Sequence, residues 1–199
     1  MEEIRSEKVI GSGQGFLIFL HLAQKSKILK SHDAKKPHQE VMSILEGVGS
    51  KKVKIEDAIT KFNEQVAYVN EHIDPRVRYP IVMVNNERDF LRNEVVAFEM
   101  FLNCAMNAKL LSFEKETELF NKAIAVWEDV GHIKQELSIK AFIRTVKQAN
   151  ALLPEEHQYP VPEVDHFPKL AEEDDLEAVA PHVERVKATA PGVAKDSNE

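Results

Sequence analysis

The chain has 199 residues and a formal net charge of −7, with 43% hydrophobic residues. That is long enough for one domain with a self-sufficient core, so no metal or disulfide staple is required. The acidity is local: residues 154–199 hold twelve acids against four bases. The remainder is therefore close to neutral, which argues against a broad polyanion-binding surface. Cys104 is the only cysteine, which excludes an intramolecular disulfide and fits a reducing, cytoplasmic compartment.

Proline punctuates the chain unevenly. Between Ile81 and Leu153 there is none, and a single glycine, Gly131, whereas six of the nine prolines fall after Leu153. Because proline removes a backbone donor and clashes with the preceding turn, this distribution predicts an all-α protein. The expected form is an antiparallel bundle of five to six helices over residues 15–153, preceded by a flexible segment, 1–14. A proline-rich acidic tail, 154–199, is expected to be mostly irregular or disordered. The apolar run Phe16 to Ala23 is too short to span a bilayer.

The first helix is expected from about Gly15 to Lys30. Its first half is apolar on every face, as in a helix central to a bundle or buried at a subunit contact. A second is expected over 37–46, led by Pro37 in its first turn. In the third, Ile55, Ile59, Phe62, Val66, Val69 and Ile73 are spaced as one narrow seam. Residues 79–84 are proline-led and β-branched, and read equally as an extended segment or a first turn. The fourth helix is expected from Asn85 or Asn86 to Leu111. The fifth, capped by Ser112, runs to Gly131, and the sixth runs from His132 to Pro154. Phe98, Phe101, Phe120, Trp127 and Phe142 are expected to share one cluster. No period of 20 to 50 residues signals a solenoid.

Chemistry is sparse. Gly11-Ser12-Gly13-Gln14-Gly15 outlines a phosphate-binding turn, but the spacing is G-x-G-x-G, without the lysine of a P-loop or a following βαβ unit. It reads as a linker. Glu128, Asp129 and Glu136 surround His132 at helical spacing, a pattern that can converge on a metal, yet Gly131 interrupts it and no second such pair exists. No cofactor or metal site is therefore expected. The enzymatic alternative is a helical carboxylate and histidine site built from Glu94, Asp129 and His132.

Two basic groupings remain. Eight lysines between Lys25 and Lys54 stand against Asp33, Glu40 and Glu46, without interleaved aromatics or arginines for base readout. They support a second alternative, a binder of nucleic acid or another polyanion. Arg76, Arg78, Arg88 and Arg92 cluster near residues 79–84, where guanidinium forks can grip carboxylates. The favoured reading is a non-enzymatic protein–protein interaction module: an adaptor, an assembly subunit or an inhibitor of a larger complex. Its partner is another protein or a second copy, with no membrane involved. Phe16, Ile18 and Phe19 are the expected contact, together with the four arginines.

Overall fold

In a computed structural model that describes residues 2–84, 87–129 and 135–162, the chain forms six α-helices, and no strand occurs among the described residues. They are α1 (Glu2–Lys25), α2 (Ser31–Gly49), α3 (Ile55–Glu71), α4 (Glu87–Asn107), α5 (Phe113–Asp129) and α6 (Gln135–Asn150). Single 3-10 turns follow α3, at Pro75–Val77, and α6, at Glu155–His157. The tail beyond 162 and the expected caps at Asn85 and Asn86 lie outside the described residues.

The first helix begins thirteen residues earlier than the glycines suggest, so the expected flexible segment 1–14 is instead, from Glu2, the first half of α1. Glycine weakens a helix by about 1 kcal/mol relative to alanine, but tertiary packing overrides that propensity. Here the glycines admit close neighbours. A Cβ on Gly13 would sit 2.5 Å from Leu45 Cδ2 on α2, and one on Gly15 would sit 2.9 Å from Tyr159 Oη. Helix α2 also starts early, at Ser31, which leaves Pro37 inside the helix rather than in its first turn. The helix tolerates one missing backbone bond there because Pro37 is buried among Ala34 and Val41 in the core.

Helices α1–α3 and α4–α6 are two versions of one unit. Adding 82 to the bounds of α2 gives the start of α5, and adding 80 to the turn at Pro75–Val77 gives the turn at Glu155–His157. Phe16, Phe19, Leu20, Ala23, Lys27 and Leu29 recur as Phe98, Phe101, Leu102, Ala105, Lys109 and Leu111. Lys27 and Lys109 both adopt φ 63° in the turn that ends the helix. Each unit has its own aromatic nest. Phe16 packs on Phe19, Phe62 and Tyr79 at centroid distances of 6.1, 5.4 and 4.9 Å. Phe98 packs on Phe101, Phe142 and Tyr159 at 5.8, 5.7 and 5.3 Å. The expected cluster of Phe98, Phe101 and Phe142 is thus present. Phe120, however, is only half-buried and Phe113 is 71% exposed, because α5 turns Glu116, Leu119 and Ala123 inward instead. The side chain of Trp127 lies outside the description.

The two units join through α1 and α4. Lys8 Nζ lies 5.0 Å from the centre of the Phe90 ring, and Ser12 bonds Glu94. Both pairs join equivalent positions, and they follow one another in the same chain direction, so α1 and α4 run parallel about an approximate two-fold axis. Contact between equivalent residues is the mark of such an axis. Buried residues of both units form one continuous core.

A non-helical strap closes each unit. In the first, 78–84, the Asn70 side chain donates to the Tyr79 carbonyl at 2.9 Å and accepts from the Tyr79 N–H at 2.8 Å. Asn150 holds Tyr159 in the same way, at 2.8 and 2.9 Å. Asn63 adds a second clamp, on Val82, at 3.2 and 2.8 Å. Residues 79–84 are therefore strap rather than helix. These side-chain bonds satisfy backbone groups that a helix or sheet would otherwise have paired. Ile143 and Pro162 stand where Asn63 and Val82 stand, and Pro162 has no N–H to clamp.

Candidate functional site

The junction of the two units carries a polar group in an otherwise apolar interior. Glu94 is buried on α4, and its Oε1 accepts a 2.6 Å hydrogen bond from the Ser12 hydroxyl on α1. Burial pushes the Glu94 carboxyl up to about 7, while the Ser12 bond acts the other way. The phenols of Tyr79 and Tyr159 are buried close by, with their hydroxyls turned toward each other. Burial raises both phenols well above their ordinary range. The charge of Glu94 adds to the shift on both, and on Tyr159 the neighbouring Tyr79 contributes as well. Equivalent residues thus meet twice here, Ser12 with Glu94 and Tyr79 with Tyr159.

A cleft of about 250 Å³ opens onto this group. Ser12, Glu94 and Gly11 face it from the helices, and Phe90, Pro160 and Pro162 supply apolar walls. Lys8 and Glu7 also line it. Its chemical capacity is that of a carboxyl poised to exchange a proton near neutrality, beside a hydroxyl and flat apolar surfaces.

Of the trio Glu94, Asp129 and His132, only Glu94 can be placed: the Asp129 side chain and all of His132 lie outside the described residues. Its partner is a serine. Among the described residues no three histidine, cysteine or acidic side chains converge as a metal site would require. Burial also pushes Glu99 up to about 7. Cys104 is buried and its thiol is pushed up to about 12, which keeps it protonated and unreactive.

Phe16 and Phe19 are fully buried and Ile18 packs partly against the core, so the expected contact surface on α1 is spent inside the chain. Arg76 makes a two-pronged ion pair with Asp74, at 3.0 and 2.8 Å, and holds that carboxyl down to about 2. Arg78 and Arg88 are exposed and Arg92 is half-buried. Within the lysine-rich region, Lys51, Lys52 and Lys54 line a separate cleft of about 420 Å³ with Ser6 and Ile55. Lys25 instead reaches His157 Nε2 at 3.2 Å, where His21 Nε2 also lies at 3.3 Å. Burial, then the Lys25 charge, lowers the His157 pKa, which favours a neutral ring whose Nε2 accepts from the Lys25 ammonium.

Ser12, Tyr79 and Tyr159 carry no catalytic motif and were not legible as a group. The signal that finds them is the recurrence of Asn70 and Tyr79-Pro80 as Asn150 and Tyr159-Pro160. No family model matches the chain, and neither a curated protein nor a solved structure is significantly similar to it. No helix among the described residues is long and apolar enough to cross a membrane.

Proposed function

We propose that this protein is a non-enzymatic protein-interaction module whose contact surface is the pair of clamped straps. One observation carries the reading. On strap segments anchored by buried Tyr79, Val82, Val84 and Tyr159, Ile81 is 54%, Met83 40% and Val161 37% exposed. Ile81 and Val161 are equivalent positions, so the apolar exposure recurs in both units. Their backbones are held by Asn70, Asn63 and Asn150, so a partner would meet a preorganised surface and little ordering entropy would be lost on binding. Exposed apolar side chains on rigid segments are characteristic of contact residues. The partner is another protein or a second copy of the chain, and a lone buried thiol suits a reducing, cytoplasmic setting.

The test is affinity capture from the native host by the full chain and by Ile81→Asp/Met83→Asp, alongside light scattering. The expected result is a defined partner, or a self-associated species, that the double variant loses while its circular dichroism and melting stay unchanged. A monomer that captures nothing, or a partner retained by the variant, would overturn the reading. The enzymatic alternative now rests on Glu94, whose carboxyl near 7 in a cleft is what general acid–base chemistry requires. The polyanion alternative rests on the cleft of Lys51, Lys52 and Lys54.

A further inference from the structure

The cleft over Ser12 and Glu94 lies where the two units differ, most directly at the position of Asn93 and Gly11. In the first strap, Asn93 Nδ2 on α4 donates to the Ile81 carbonyl at 2.6 Å. The residues equivalent to Asn93 and Ile81 are Gly11, on α1, and Val161. Where one unit places a carboxamide against the strap, the other places a hydrogen atom. A Cβ built on Gly11 meets nothing within 4 Å, and the space left over is the cleft that Gly11, Val161, Phe90 and Glu94 line together.

We propose that this cleft binds a small molecule that presents a primary carboxamide on a compact, flat, apolar body. The head group follows from Asn93, which shows within the same molecule what fits against a strap carbonyl. A carboxamide has two N–H donors, one for the Val161 carbonyl and one for the Glu94 carboxyl, whose other interaction is with the Ser12 hydroxyl. Its carbonyl is an acceptor for the ammonium of Lys8, which lines the same cleft. The body follows from the walls, since Phe90, Pro160 and Pro162 offer flat apolar faces, and about 250 Å³ admits a single ring rather than a drug-sized ligand. A carboxylate head group is disfavoured because it has no N–H to donate to the Val161 carbonyl and would bring negative charge toward Glu7 and Glu94. The cleft shares Val161 with the proposed contact surface, but the protein-binding test is made at Ile81 and Met83, which do not line it, so the two readings can fail separately.

The experiment is a titration of the ¹⁵N-labelled full chain with benzamide, followed by amide shifts, with N,N-dimethylbenzamide as the control that lacks N–H donors. Saturable shifts at Gly11, Ser12, Glu94 and Val161 are expected at millimolar benzamide or below, with at least tenfold weaker binding of the dimethyl compound. Gly11→Asn, which restores the missing carboxamide, should weaken benzamide binding at least tenfold while circular dichroism remains that of the parent. Gly11→Ala, whose added methyl meets open space, serves as the second variant and should weaken binding less. Absence of saturable shifts, equal binding of the dimethyl compound, or undiminished binding by both folded variants would overturn the proposal.

Discussion

The first unit of this molecule is closed and the second is open, although both are built to one plan. Strap 78–84 is clamped by Asn63, Asn70 and Asn93, whereas in the second strap Tyr159 is clamped by Asn150, and Ile143, Gly11 and Pro162 occupy the positions equivalent to Asn63, Asn93 and Val82. The differences are concerted: a strap residue without an N–H faces an apolar residue where an asparagine would have no donor to receive. A duplicated unit can thus keep its aromatic nest as the shared source of stability and vary its strap, where a cleft costs less than a void in the core.

The largest test of that division lies in the nests. Phe16→Ala and Phe98→Ala should each cost about 3 to 5 kcal/mol in denaturant melts, because each ring is fully buried among three aromatic neighbours. Losses differing by more than about 2 kcal/mol would show that the units do not share the load equally.

The junction should show itself in the pH dependence. Glu94 has a folded pKa of about 7 against an ordinary value of 4.5, so the folded state holds the proton more tightly than the unfolded one. That contribution is fully present below about pH 4.5 and is lost as pH rises through 7. It amounts to about 3 kcal/mol in order of magnitude. Glu94→Gln keeps an acceptor for Ser12 and has no proton to lose, so its stability between pH 5 and 8 should be flatter than that of the parent. Identical pH profiles for the two would mean that the carboxyl is not buried in solution.

Smaller effects separate the straps. Asn150→Ala should cost about 2 to 3 kcal/mol, since it leaves the backbone N–H and carbonyl of buried Tyr159 without partners. Asn70→Ala should cost less, about 1 to 2 kcal/mol, because Asn63 continues to hold the first strap. Equal losses would remove the contrast between one clamp and three. Smallest of all, Gly11→Ala should raise stability by up to about 1 kcal/mol, as a helix interior gains a methyl in open space. Gly13→Ala should gain nothing, because its methyl must displace Leu45.

Helix number, the C-terminal ends of the helices to within about five residues, and the seam Ile55 to Val69 were legible because proline placement and the 3.6-residue period are local properties of the chain. The cap at Ser112, whose hydroxyl accepts the Lys115 N–H at 3.2 Å, was equally legible. The first half of α1 was not. Three glycines in five residues lower intrinsic helicity, and only the approach of Leu45 and Tyr159 shows why Gly13 and Gly15 are there. The site was illegible for a related reason. Ser12 and Glu94 are 82 residues apart, and neither belongs to a motif of its own.

The sequence by itself determined that this protein is helical, where most of its helices stop, and that its acidity lies after Pro154, because each of these follows from composition and short-range periodicity. Only the tertiary structure decided that Phe16 and Phe19 are interior rather than an interface, and that Glu94 meets a serine. It also decided that Gly11 marks a cleft. Burial and pairing depend on which surfaces two distant segments present to each other, and residue spacing along one helix carries no information about its neighbour.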